Sequence, residues 1–289
     1  MFRFSIVIPT YRRSELLRKC LVSCEGQESP PYELIVVDDA SPDDTSSMMR
    51  REFPKAHYLR LERNSGPATA RNRGIAASGG DIVVFTDDDC LLPHNFSSRL
   101  AEGYSTCPDI AGAGGYLEAP EELLTHNPYA QYDYYMTHNV YGFGPLPVLG
   151  GLECPAGGTH SMSYRRQVLA EVGGFDESFP VPGGEDADLK VRVVSRGYAL
   201  LYVPVKVIHQ RPYTLRDFWR QYYAHGRGSV PYERKHHGNA PSLGRLGLRL
   251  GVRIGRVAPD TFRIGPRLAI LRMLAALADL AGQWHELRR

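Results

Sequence analysis

Short apolar runs alternate along the first third of this chain with stretches whose apolar positions recur at helical spacing. Phe2-Arg-Phe-Ser-Ile-Val-Ile-Pro9 predicts a first strand. Ser14 is placed to cap a following helix in which Leu16, Leu17, Cys20, Leu21 and Cys24 share one face. Glu33-Leu-Ile-Val-Val-Asp38 predicts a second strand, and Ser41-Pro-Asp-Asp44 a helix start with Pro42 in its first turn. His57-Tyr-Leu-Arg-Leu61 predicts a third, shorter strand. Pro67 opens a helix through Ala68, Ala70, Arg71 and Ile75 to about Ser78, and Asp81-Ile-Val-Val-Phe-Thr86 makes a fourth strand. This alternation predicts an α/β domain with a central, mostly parallel sheet flanked by helices. Leu200 to Ile208 reads as a further strand near its end.

The chemistry gathers where these strands stop. Asp38 and Asp39 end the second strand, and Asp87, Asp88 and Asp89 follow the fourth. In open parallel sheets ligands sit at the carboxyl ends of the strands, and both acidic groups fall on that edge. Clustered carboxylates repel one another unless a cation lies between them. Hard divalent ions such as Mg²⁺ or Mn²⁺ take such oxygens and keep phosphate oxygens in the same shell. The first turn, Pro9-Thr-Tyr-Arg-Arg-Ser14, contains no glycine, which excludes a dinucleotide fingerprint there. No G-x-x-x-x-G-K-[ST] loop occurs either.

Composition refines this picture. The 289 residues, 43% hydrophobic, can bury one large core, or one core plus an appendage. The five cysteines (20, 24, 90, 107 and 154) lack paired C-x-x-C spacing, and no leader pattern precedes them, so a reducing, cytoplasmic setting is expected. The net charge of +2 conceals an asymmetry: of 34 Lys and Arg and 32 Asp and Glu, residues 211–289 hold 15 and 5, leaving 19 and 27 for residues 1–210.

Taken in order, Ser5-Ile-Val-Ile-Pro-Thr-Tyr11, Val37-Asp-Asp-Ala-Ser41, Asn64-Ser-Gly-Pro-Ala-Thr-Ala-Arg-Asn-Arg-Gly74, Thr86-Asp-Asp-Asp89, Gly173-Gly-Phe-Asp-Glu177 and Gly184-Glu-Asp-Ala-Asp-Leu189 resemble a family 2 glycosyltransferase of the GT-A (nucleotide-diphospho-sugar transferase) fold. The resemblance spans about residues 3 to 225. It implies a nucleotide pocket lined by Pro9, Thr10 and Tyr11. Asp39 would bond the base or ribose, with Asp38 as a structural or secondary contact. Arg71 would neutralise diphosphate charge, or pair with the acidic cluster. The D-x-D pattern falls on Asp87 and Asp89, with Asp89 the direct ligand of Mn²⁺ or Mg²⁺ and Asp88 against the donor sugar or ribose. The catalytic base maps to Asp186, with Glu185 orienting the acceptor or its loop. His209 would be a further metal ligand, or a packing or capping residue beyond its strand. Gly157, Gly158 and His160 would border the donor sugar and acceptor, His160 standing where many relatives carry a different small polar residue.

The implied activity is a metal-dependent, inverting transfer of one sugar from an NDP-sugar donor to a glycan, lipid-linked or small-molecule acceptor. The Q-x-x-R-W sequence of processive synthases has no counterpart in Asp217-Phe-Trp-Arg-Gln-Tyr-Tyr-Ala-His-Gly226, which favours single addition. The expected division is a catalytic domain over 1–212, with a nucleotide-binding half (1–110) and an acceptor half (111–212), then a basic helical extension over 213–289. Within the acceptor half, residues 112–160 are rich in glycine, proline and tyrosine and read as a loop-rich lid. Leu268 to Ala281 is apolar but is interrupted by Arg272 and Asp279 and is too short to span a bilayer. Residues 242–289 are suited to the surface of an anionic membrane, which would place the protein peripherally on the inner face of the cell membrane, or to packing against this chain or an oligomeric partner. Nucleic acid is not expected as a partner. Two rival readings are a sugar-phosphate nucleotidyltransferase and a catalytically silent sugar-nucleotide-binding protein.

Overall fold

The computed structural model describes residues 2–179, 183–238, 244, 247–248, 251–252, 255 and 257–289. The remaining positions of the basic tail between 239 and 256, and Pro180 to Pro182 ahead of the Gly183-Gly184 turn, lie outside the described residues. The chain divides into two compact units. The first comprises Met1–Glu118, Thr137–Glu177 and Asp186–Gln210, the second Ala119–Met136, Ser178–Glu185 and Arg211–Arg289. A boundary at 210/211 lies close to the expected 212/213, yet two earlier segments, 119–136 and 178–185, group with the tail.

The first unit is built on a nine-stranded sheet: β1 (Phe4–Thr10), β2 (Glu33–Asp38), β3 (His57–Arg60), β4 (Ile82–Phe85), β5 (Cys90–Leu91), β6 (Gly112–Glu118), β7 (Val148–Gly150), β8 (Met162–Arg165) and β9 (Leu200–His209). The order is β3-β2-β1-β4-β8-β6-β9-β5, with β7 pairing β9. The block β3-β2-β1-β4 is parallel throughout. Beyond it the sheet is mixed: β8 runs antiparallel to β4 and β6, and β6 runs parallel to β9.

Alternation within the strands explains the layers. Ile6, Ile8, Leu34, Val36, Ile82 and Val84 point into one core. Against them lie Leu17, Cys20, Leu21 and Cys24 of α1 (Ser14–Glu25), Met48 and Met49 of α2 (Thr45–Glu52), and Phe96, Leu100 and Tyr104 of α4 (Phe96–Thr106). Val7, Ile35, Val37, Val83 and Phe85 point to the opposite core. There they meet α3 (Pro67–Ala77), α7 (Arg166–Val172), and Leu189 and Val193 of α8 (Glu185–Val194). Both faces are covered, so the strands read as nearly continuous apolar runs. A Cβ on Gly74 would lie 2.2 Å from Val7 Cγ1, so glycine lets α3 sit directly on β1.

Two helix starts differ from expectation. Ser14 is the first residue of α1 and does not cap it; Arg13 holds the cap position without a side-chain cap bond. The Ser14 N–H instead donates to Asp43 Oδ2 at 3.4 Å. Helix α2 begins at Thr45 and not at Pro42. Asp43 accepts from both the Thr45 N–H (3.3 Å) and its hydroxyl (2.6 Å), making a local turn that delays the helix.

The second unit is helical: α5 (Glu121–Leu124), α6 (Pro128–Tyr135), α9 (Leu215–His237), α10 (Val257–Ile264) and α11 (Pro266–Leu287). Its core joins Tyr132 of α6, Phe218 and Tyr222 of α9, and Leu271, Ala275 and Ala278 of α11. Helices α9 and α11 approach at glycine. A Cβ on Gly226 would fall 1.9 Å from the Asp279 carbonyl oxygen, and one on Gly282 2.1 Å from that of Tyr223. Arg211 pairs with Asp133 and lies over the Tyr213 ring at 4.7 Å. No helix among the described residues is long and apolar enough to cross a membrane.

Candidate active site

Because β1, β2 and β4 are parallel, their carboxyl ends share one edge of the sheet. The loops leaving β1 and β2 each place a residue in the left-handed region, Arg12 (φ 61°) and Ala40 (φ 63°). Such backbone is unfavourable for side-chain-bearing residues and is held by its surroundings. Here the Arg12 N–H donates to Ser41 Oγ at 3.0 Å, and the Asp39 N–H to the Thr10 carbonyl at 2.9 Å. Pro9 and Thr10 are buried in this edge, and the Tyr11 ring is covered by the Arg12 guanidinium at 5.0 Å.

Asp38, fully buried, accepts from the Ser41 N–H (2.7 Å) and the Tyr58 hydroxyl (2.5 Å). Burial is the main cause that pushes the Tyr58 phenol up to about 12, with Asp38 adding to it. Asp39 accepts from the Ser65 and Gly66 N–H groups at 2.6 and 2.8 Å. Its carboxylate thereby folds the 64–66 loop against the strand end.

The aspartate triplet forms a compact charged cluster. Asp87 accepts from Arg71 Nη2 at 2.9 Å; Arg71 is nearly buried and lies over the Phe175 ring at 5.6 Å. Asp88 accepts from Thr10 Oγ1 (2.8 Å) and Arg13 Nη1 (3.1 Å). Burial pushes its carboxyl up to about 6, against the pull of Arg13. Asp89 accepts from Arg13 Nη1 at 2.6 Å, and the same Oδ2 lies 3.4 Å from His209 Nε2. Burial alone would raise the Asp89 carboxyl, but the hydrogen bond and charge of His209, with Arg13, hold it down at about 2. The two-residue strand β5 brings His209 there, since Cys90 pairs His209 across the antiparallel β5–β9 ladder. The Gln210 N–H bonds the Asp89 carbonyl at 2.7 Å.

His160 belongs to the same electrostatic neighbourhood. Desolvation lowers its imidazole to about 4, and the charges acting on it are those of Asp87, His209, Arg71 and Asp89. Its ring sits over Gly158, where a Cβ would be 2.5 Å from Nε2, and Thr86 Oγ1 donates to its carbonyl at 3.1 Å. Gly157 abuts the Lys190 stem, where a Cβ would be 2.9 Å from Cδ. Lys190 donates to the Cys154 carbonyl. Asp186, one helical turn before Lys190, acts electrostatically on Lys190 and on the buried Tyr164 hydroxyl. Glu185 is buried and accepts the Gly183 N–H at 2.6 Å, bracing the turn that enters α8.

The donor set fits a divalent cation. One ligand atom each from Asp87, Asp89 and Cys90 lies within 4.8 Å of the others. Cys90 is buried, and burial together with the Asp87 and Asp89 charges pushes its thiol well above its ordinary range. Asp87 and Asp89 could supply carboxylate oxygens to a hard divalent ion such as Mn²⁺ or Mg²⁺, and His209 Nε2 stands 3.4 Å from the Asp89 carboxylate. Arg13 was not expected from the sequence. Its only signal is a basic pair placed immediately after a strand whose edge also gathers acids.

Comparison with known proteins agrees with this architecture. The family model for glycosyl transferase family 2 matches residues 5–173. The pre-mycofactocin glycosyltransferase of Mycobacterium tuberculosis (strain CDC 1551 / Oshkosh) is 28% identical over 270 residues, covering 88% of this chain. This chain spans only about half (54%) of that relative's length. A Campylobacter jejuni GalNAc(5)-diNAcBac-PP-undecaprenol beta-1,3-glucosyltransferase is 33% identical over 113 residues, 36% of this chain and 37% of its own. Among solved structures, the Pyrobaculum calidifontis mannosyltransferase PcManGT in complex with GDP-Man and Mn²⁺ superposes with a TM-score of 0.69 at 18% identity, covering 99% of this chain and 87% of its own. GalNAc-T7 with UDP, GalNAc and Mn²⁺ gives 0.56 at 17% identity, over 80% and 48% respectively. These structural likenesses establish the fold, and with the family match over more than half of the sequence, the chain belongs to glycosyl transferase family 2.

Proposed function

We propose that this chain transfers a single glycosyl group, with inversion, from a nucleoside-diphosphate sugar to an acceptor hydroxyl on a glycan, lipid-linked sugar or small molecule. The observation that carries the reading is the Asp87–Asp89 cluster, with Arg71 and His209, at the carboxyl edge of the parallel strands. Pro9, Thr10, Tyr11 and the Asp39-bound loop form the nucleotide side. Arg71, fixed beside Asp87, offsets diphosphate charge, and Asp88 faces the donor sugar or ribose. A Mn²⁺ or Mg²⁺ ion held by Asp87, Asp89 and His209 would supply positive charge against the leaving diphosphate. Asp186 takes the acceptor proton as the acceptor oxygen bonds the anomeric carbon; the bond to the diphosphate breaks and its electron pair stays with the diphosphate. An acceptor that is already an anionic phosphate gives up no proton, and Asp186 then only positions it. Glu185 holds the entry turn of α8, and Gly157, Gly158 and His160 border the sugar.

The test is a panel of nucleotide sugars titrated with and without Mn²⁺, followed by slow donor hydrolysis. Metal-dependent binding of one donor with release of nucleoside diphosphate is expected. Turnover of nucleoside triphosphate plus sugar phosphate with diphosphate release would replace this reading with a nucleotidyltransferase. Binding of no donor under either condition would favour a silent partner.

A surface on α11 supports peripheral attachment. Ile270, Leu277 and Trp284 recur every seven residues and are 57%, 37% and 41% exposed, with Arg267 and Arg288 exposed beside them. An apolar stripe flanked by arginines matches an anionic lipid surface. Flotation with phosphatidylglycerol vesicles is expected to carry the protein, and Trp284→Ser with Ile270→Ser to abolish it. A concentration-dependent dimer that leaves vesicles unbound would assign the stripe to a second copy.

A further inference from the structure

Two arginines reach the aspartate cluster, and they are held differently. Arg71 is 5% exposed, anchored to Asp87 and packed over Phe175. Arg13 precedes α1 and sends a half-exposed side chain, at 50%, across to carboxylates that are only 6% and 9% exposed. Its Nη1 donates at once to Asp88 Oδ1 (3.1 Å) and Asp89 Oδ2 (2.6 Å). That Asp89 oxygen is also the one beside His209 Nε2, at 3.4 Å. A cation bound between Asp89 and His209 must therefore approach the oxygen that the guanidinium holds.

We propose that Arg13 is an exchangeable counter-ion: it neutralises Asp88 and Asp89 while the site is empty and yields Asp89 when a divalent cation arrives. The inference rests on the metal-binding reading of the cluster. A dication at ordinary coordination distance from Asp89 and a guanidinium hydrogen-bonded to the same oxygen lie close enough to repel strongly. Asp88, Asp89 and Arg71 are buried, whereas the long Arg13 side chain is half exposed and can leave Asp89 without unpacking a core. Without Arg13 and without metal, Asp88 and Asp89 lose the counter-charge they share, while Asp87 keeps Arg71. The arginine thus keeps the empty site folded at the cost of weaker metal binding.

The experiment measures Mn²⁺ affinity of the donor-free protein, from the free-ion paramagnetic resonance signal, for wild type, Arg13→Gln and Arg13→Lys. Thermal midpoints are recorded in chelator and in Mn²⁺. Arg13→Gln is expected to bind Mn²⁺ about tenfold more tightly, the scale of one charge-assisted contact removed. It should also melt lower than wild type in chelator and gain more from Mn²⁺. Arg13→Lys, which keeps the charge, is expected to stay near wild type. Equal or weaker Mn²⁺ binding by a folded Arg13→Gln protein, with wild type binding normally, overturns the exchange while leaving the metal site standing. Absence of Mn²⁺ binding in both chains overturns the metal reading and this inference with it.

Discussion

The sheet unit buries side chains on two faces, whereas the helical unit brings backbone against backbone. In the first, Ile6 and Ile8 point to one core and Val7 to the other, so each residue's partners follow from its parity along the strand. In the second, Gly226 and Gly282 let α9 and α11 meet at each other's carbonyl groups. The first unit also carries the acid cluster, and the second carries most of the basic excess. Chemistry and cohesion are thus separable, and substitutions that affect one should spare the other.

The largest separation is expected for Asp186→Asn, which should lower kcat by about 10²- to 10⁴-fold, the range for a general base. Donor binding and the melting temperature should hold, as read by donor titration and calorimetry. Asp89→Asn should weaken Mn²⁺ binding by more than the ~10–100-fold that loss of a supporting residue costs, measured by direct titration, with secondary structure retained. The converse case is Gly226→Val. Overpacking there should cost roughly 1–3 kcal/mol or more, seen as a lowered urea midpoint, while Mn²⁺ affinity stays at the wild-type value. A Gly226→Val protein of full stability would break the comparison.

The smallest effect is in acid. The folded-state His160 value of about 4 lies below its ordinary value, so the unfolded chain binds more protons across the window between them. Stability contributed by His160 is therefore present near neutrality and is lost as pH falls from about 6.5 toward 4. Asp88 works in the opposite sense. Its folded value of about 6 lies above the ordinary one, so its contribution is greatest in acid and is lost as pH rises through about 6. Denaturant titrations from pH 4 to 7 should show the wild-type slope reduced in His160→Gln and steepened in Asp88→Asn.

Much of the sheet was legible because its strands, covered on both faces, are short continuous apolar runs. The first strand, the second, the aspartate strand and Leu200 to Ile208 all appear where those runs placed them. Strand β6 was not legible. Its Gly-Ala-Gly-Gly-Tyr-Leu-Glu sequence has no β-branched residue, and its glycines are demanded by neighbours the sequence does not reveal: a Cβ on Gly115 would lie 2.3 Å from the Val205 carbonyl, and one on Gly114 2.7 Å from Met162 Sδ. Residues 112–160, read as a loop-rich stretch, therefore hold a central strand. At the candidate site, the acids announced themselves as a run of like charge at a strand end. The contact of His209 with Asp89 depends on a two-residue strand that no pattern detects. Arg13 bonds residues 75 and 76 positions away, beyond any local signal.

The second unit draws on three separated stretches of chain, and that limits how this protein can be rearranged. A fragment ending near residue 210 would retain Tyr129, Ala130 and Tyr132 while discarding Phe218, Tyr222 and Leu271, against which Tyr132 packs. Such a truncation would present an aromatic face to water and invite aggregation, however intact its sheet. The same logic governs exchange between related enzymes. A chimera that swaps the carboxyl-terminal helices without the 119–136 insert would mismatch a shared core, so these segments should be inherited together or not at all.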